Sequence, residues 1–291
     1  MFVSHVALVS QTNRVTLGQL AMASAAIQKQ VTRDFGPIWD IEASIDAFEK
    51  LSDVPLGYWS IIIRDDIPFR AQGIHLNKAN GQPFALVQFS QNWALTTSHE
   101  CLEMLADPSG NRTQAGNSVK PGQERVEYLV EVCDPSEAAQ FGYSVNGILV
   151  SDFYTPDYFE PVKAPGVRYS FTGAINGPRE VLDGGYLSWF DPISSHVFQL
   201  FVEGIDQEFV DQGPLPGGFG SLRAFADRYS TKHRTKAMTG TGPAGLFLAS
   251  ALGPGGGLTA APEAPTEFDQ AVNASAAVLQ SQIDDLISNT P

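Results

Sequence analysis

The segment Ser98-His99-Glu100-Cys101-Leu102-Glu103 sets one imidazole and two carboxylates close together in the chain. Residues four apart on a helix share a face. His99 and Glu103 can therefore aim a ring nitrogen and a carboxylate oxygen at a single cation. Glu100 projects about 100° away around the helix, within reach of a water held by that cation. Imidazole and carboxylate are both zinc ligands, and a tetrahedral catalytic site needs a third protein ligand plus an open position.

This chemistry needs a helix, and residues 93–106 supply one: WALTTSHECLEMLA carries apolar residues on the faces beside the acids and stops at Asp107-Pro108, because the residue before proline disfavours the α region. The elements before it must carry that helix. Residues 3–10 and 58–64 read as strands, the second a central one, and Asn80-Gly81 marks a turn between paired strands at 73–76 and 84–89. Residues 17–35 carry Leu20, Ala23, Ile27 and Val31 at helical spacing and are expected to end at Gly36-Pro37. A half-buried strand is expected over 38–48. Downstream, residues 109–123 read as a loop and 126–133 as an apolar run. Asn146-Gly147 forms the turn of a hairpin within 143–153, and a helix is expected near 222–229.

The helix resembles the HExxH helix of zincin metallopeptidases, in which ligands sit at i and i+4 and the intervening Glu is the general base. Here the second ligand position is Glu103, giving HExxE, a gluzincin-like variant. The resemblance implies an α+β fold: a zincin-like mixed sheet with an N-terminal helix and an active-site helix, its last strand before that helix lining the cleft from the sheet edge, followed by a loop-rich C-terminal part. It implies Zn2+ as cofactor, a peptide or other amide as substrate, His99 and Glu103 as ligands and Glu100 as base. Gluzincins take their third ligand as a Glu downstream of the helix, and Glu131, an acid inside an apolar run, is the first choice. Asp134 comes second, with His75 and His196 behind it, and Asp107 is cast as a capping or supporting residue. The order TSHECLEMLADP, VEVCDP, VSDFYTP also resembles uncharacterised bacterial and phage proteins sharing SHExLEMLxDP, a likeness that implies no activity. It leaves open a non-catalytic scaffold for binding or assembly. Aromatic packing is the favoured role of Tyr154 and Tyr158, with oxyanion stabilisation the alternative.

Composition narrows the partners. The 291 residues carry 18 basic and 32 acidic side chains, a formal charge of −14, which argues against polyanions such as nucleic acid and against anionic membrane surfaces. No stretch reaches the ~20 apolar residues of a membrane span. The first residues read as a strand and not as a signal peptide, so a cytoplasmic location is expected. Cys101 and Cys133 cannot build a disulfide framework and are expected as core thiols. Gly240-Thr241-Gly242-Pro243-Ala244-Gly245 matches a dinucleotide fingerprint but follows a polar, basic stretch where a strand is required. The expected organisation is a metal-binding domain over 1–160, an aromatic, loop-rich subdomain over 161–238, a Gly/Pro-rich linker over 239–265 and a terminal helix over 266–291.

Overall fold

The computed structural model describes residues 3–67, 71–78, 80–217, 220–227, 274 and 277–285. Strand β1 (Ser4–Ser10) leads into helix α1 (Leu17–Lys29). Thr16 caps α1 through a reciprocal box with Gln19, which satisfies two otherwise orphaned backbone donors. The helical path does not stop at Gly36-Pro37. It widens into a π segment over Gln30–Phe35 and resumes as α2 (Gly36–Trp39). Pro37 sits at the start of that last segment, where its missing N–H removes no helical bond. The expected strand at 38–48 is accordingly shorter: β2 is Ala43–Phe48.

Strands β3 (Trp59–Arg64), β4 (Gly73–Asn77) and β5 (Pro83–Gln88) complete the first sheet and deliver the chain to α3 (Trp93–Ala106). The order is β2-β1-β3-β5-β4, with β1 parallel to β2 and β3, β3 parallel to β5, and β4 antiparallel to β5. The strand immediately before α3 is therefore internal. The edge strand is β4, one step earlier, because the turn at Asn80-Gly81 folds it onto the outer side of β5. One face of this sheet presents Val6, Leu8, Ile61, Ile63 and Val87 to α1 and α3. The other presents Ala7, Val9, Ile62, Ile74 and Leu86 to Leu279 and Ile283 of helical residues 277–285. Burial on both faces explains why β3 carries three consecutive isoleucines, Ile61 to Ile63.

The second sheet is built from β6 (Thr113–Asn117), β7 (Arg125–Leu129), β10 (Tyr186–Asp191), β11 (His196–Glu203) and β12 (Asp206–Pro214), in the order β12-β11-β10-β7-β6, all neighbours antiparallel. It joins strands from both sides of residue 160. The span read as a loop at 109–123 contains β6, and the span read as loop-rich after 161 contains three strands. Between β7 and β10, Asn146 and Gly147 both take positive φ in the turn of hairpin β8 (Tyr143–Val145) and β9 (Ile148–Val150). Helices and sheets with parallel and antiparallel pairings thus occur together, an α+β architecture. Residues 222–227 are helical. The expected linker, the GxGxxG match and most of the expected terminal helix lie outside the described residues.

Candidate metal centre

Helix α3 packs against strands β3, β4 and β5 of the first sheet and against β9 of the hairpin, and every residue from Leu95 to Ala106 is buried. Three devices hold it there. The Ser151 N–H donates to Ser98 Oγ at 2.7 Å. The Asp107 carboxylate, itself fully buried, accepts from the Asn111 and Arg112 N–H groups at 3.1 and 2.9 Å and from Ser109 Oγ at 3.1 Å. This fixes the chain as it leaves the helix, the capping role expected of Asp107. Finally, β4 crosses α3 at Gly73, where an added Cβ would meet Glu100 Oε1 and lie 2.7 Å from Thr96 Cγ2. Only glycine permits that approach. Gly73→Ala is expected to push β4 off α3 and lower stability by about 1–3 kcal/mol, the usual cost of overpacking. Urea unfolding would measure it, and an unchanged midpoint would contradict the close approach.

The side chains gathered by these contacts come from four places. His99, Glu100 and Glu103 lie on α3, and His75 on β4. Glu131, Cys133, Asp134 and Glu137 follow β7. Arg223 comes from the helical residues 222–227. His99 Nε2 lies 3.2 Å from Glu103 Oε2 and 3.3 Å from Asp134 Oδ1. His75 Nδ1 lies 3.5 Å from Glu100 Oε2 and 3.9 Å from Glu103 Oε2. The Arg223 guanidinium pairs with Glu131, with Glu103 at 3.1 Å, with Glu100 at 3.7 Å and with Asp227 at 3.0 Å. Glu103 Oε1 accepts from the Cys133 N–H at 3.3 Å. His99, Glu100 and Glu103 are 0 % exposed and Glu131 is 4 % exposed.

Electrostatics follow from that burial. Desolvation opposes a charge on His99, but Glu103, Asp134 and Glu100 overcome it and hold the imidazole well above its ordinary range. For Glu103, burial works against ionisation, yet His99, Arg223 and His75 keep the carboxyl well below the usual carboxylate range. Burial pulls His75 down, reinforced by Arg223. The Cys133 thiol is pushed far up by burial and by Glu103, so it stays protonated and is no nucleophile. Cys101 is also buried, as expected of a core thiol.

The donor chemistry fits a divalent cation. Three trios have ligand atoms all within 4.8 Å of one another: His99, Glu103 and Cys133; His75, Glu103 and Glu131; and His99, Asp134 and Glu137. Among the described residues, neither ring nitrogen of His75 or of His99 makes a well-aligned hydrogen bond. His99 is compensated by its ion pairs with Glu103 and Asp134, whereas His75 has only the longer contacts to Glu100 and Glu103. The structure brings His99 to Glu103 and to Asp134, and it brings Glu131 to Glu103, His75 and Arg223. His196 is elsewhere, paired with Asp211 at the surface. Tyr154 and Tyr158 stack face to face with centroids 4.3 Å apart, the packing role expected of them. The Tyr154 hydroxyl nevertheless has no hydrogen-bond partner among the described residues, and burial together with Tyr158, Glu103 and Asp134 keeps it protonated.

Sequence reading did not find Arg223 or Glu137. The signal for Arg223 was present in Leu222-Arg223-Ala224-Phe225-Ala226-Asp227, an arginine among apolar residues with an acid one helical turn on. A surface groove of about 350 Å3 beside β6, lined by Arg125, Phe159 and Arg179 among others, is separate from this cluster. Among the described residues, no helix is long and apolar enough to cross a membrane. No family model, curated protein or solved structure matches the chain, so the case for any function rests on this cluster.

Proposed function

We propose that the chain is a zincin-like, zinc-dependent hydrolase acting on a peptide or another amide, with His99 and Glu103 as ligands and Glu100 as general base. The observation that carries the reading is the approach of His99 Nε2 to Glu103 Oε2 and Asp134 Oδ1, at 3.2 and 3.3 Å, with Glu100 beside them on α3. These distances favour Asp134 as the third ligand, because the Glu131 carboxylate is engaged by Arg223. A divalent ion would supply Lewis acidity, polarising the amide carbonyl and making water nucleophilic at neutral pH. Glu100 would take the proton from the attacking water and pass it to the leaving amine. The Tyr154 hydroxyl, protonated and without a hydrogen-bond partner among the described residues, would donate to an oxyanion. Two free, buried cysteines suit a reducing compartment, in keeping with a cytoplasmic site of action.

The complete burial of the cluster supports a second reading, in which the same ion stabilises a non-catalytic scaffold for binding or assembly. Elemental analysis of the purified chain tests the shared premise. One equivalent of metal is expected in the wild type and in Glu100→Gln, and none in His99→Ala. A wild type without metal after zinc loading sinks both readings. Digestion of a broad peptide library then separates them: cleavage lost in Glu100→Gln favours the hydrolase, and no cleavage by zinc-loaded wild type favours the scaffold.

A further inference from the structure

We propose that His75, Glu103 and Glu131 form a second cation-binding position beside the first, and that the guanidinium of Arg223 fills it in this structure. The proposal rests on reading His99, Glu103 and Asp134 as a metal position and extends it. The ligand atoms of His75, Glu103 and Glu131 converge within 4.8 Å, as do those of His99, Asp134 and Glu137, and the two trios have no residue in common. Glu103 lies between them. Its Oε2 is 3.2 Å from His99 Nε2 on one side, and on the other 3.1 Å from Arg223 Nη1 and 3.9 Å from His75 Nδ1. A carboxylate shared between two positive centres is the arrangement of two-cation hydrolytic sites.

His75 is the independent observation. It is 2 % exposed and sits on edge strand β4 against α3 with Nδ1 3.5 Å from Glu100 and 3.9 Å from Glu103, yet among the described residues neither nitrogen makes a well-aligned hydrogen bond. A histidine kept only for packing would be expected to engage at least one nitrogen. Arg223 neutralises Glu131 and Glu103 but offers only donors in a fixed fork, whereas a divalent ion accepts the imidazole and both carboxylates at once. Imidazole with carboxylates suits zinc or manganese. Arg223 is held by its own backbone, with its N–H donating to the Gly110 carbonyl at 3.0 Å, and by Asp227. It is thus a built-in positive charge where a second ion would otherwise sit.

The test is zinc stoichiometry in the full-length chain at neutral pH, by titration calorimetry and elemental analysis. One equivalent is expected for wild type and for Arg223→Lys, two for Arg223→Gln and Arg223→Met, and one again when His75→Ala is added to either. A single equivalent in a folded Arg223→Gln or Arg223→Met overturns the second position and leaves the first standing. No zinc in any variant, wild type included, overturns both. Where circular dichroism shows both neutral variants unfolded, wild type at millimolar zinc decides. A second, weaker equivalent that His75→Ala abolishes supports the proposal, and its absence overturns it.

Discussion

Glu103→Ala is expected to lower the thermal midpoint of the chelator-treated protein further than any other single change in the cluster. The Glu103 side chain is fully buried, and its two oxygens serve four groups: the Cys133 N–H on one, and His99, Arg223 and His75 around the other. Removing it leaves a guanidinium and a protonated imidazole in a water-poor interior with their central counter-charge gone. Breaking a buried pair from one side typically costs about 3–5 kcal/mol. For a domain of this size that corresponds to roughly 6–20 °C in midpoint. Glu103→Gln keeps the volume and the acceptor for Cys133 and should cost less than alanine. Glu124→Ala, at an exposed acid, should stay within about 0.5 kcal/mol. Differential scanning calorimetry in the presence of chelator gives the comparison, and a Glu103→Ala midpoint equal to that of wild type would remove Glu103 from the centre of the cluster.

The parts of the molecule legible in the sequence are those fixed by local chemistry. Helix α3 runs from Trp93 to Ala106 as its spacing and Asp107-Pro108 require. The turns at Asn80-Gly81 and Asn146-Gly147 join antiparallel strands because the asparagine-glycine pair accommodates the positive φ of a tight hairpin. What was hidden depends on neighbours distant in the chain. Which strand forms the sheet edge is decided by hydrogen bonding between β5 and β3, which the chain order of β4 and β5 does not reveal. Strand β6, Thr-Gln-Ala-Gly-Asn, carries almost no β-forming residue. It forms because β7 pairs with it and because Gly116 leaves room for the Tyr128 ring. The helical run through Gly36-Pro37 was masked because proline normally stops a helix. Here the π segment resets the bonding pattern just before it.

The candidate site divides in the same way. The i, i+4 spacing of His99 and Glu103 brings those groups together, and the acid in the apolar run after β7 does reach Glu103. The assignment of Glu131 over Asp134 could not be settled locally. It turns on Arg223, which is 120 residues from Glu103 and 92 from Glu131 along the chain.

The pH dependence of stability should show two limbs that the cluster accounts for, and metal should erase one of them. His99 is held well above its ordinary range in the folded chain, so the folded state binds its proton more tightly than the unfolded state. Its contribution is complete below the ordinary imidazole value and is lost as pH rises through the folded value. Glu103 is held well below the usual carboxylate range, so its contribution is present above the unfolded value and disappears as pH falls through the folded one. His75, lowered by burial, adds to the acid limb, because the unfolded chain takes up its proton first. Metal-free protein is therefore expected to be most stable between these limbs. In His99→Gln the alkaline limb should flatten while the acid limb persists. A divalent ion on His99 takes the place of its proton, so zinc affinity should rise about tenfold per pH unit while one proton is displaced. With zinc bound, the alkaline loss should vanish. Thermal midpoints measured across pH with chelator and with excess zinc, for wild type and His99→Gln, test each step. An alkaline limb of equal size in both proteins would separate His99 from the stability of the cluster, and a zinc affinity independent of pH would separate it from the metal.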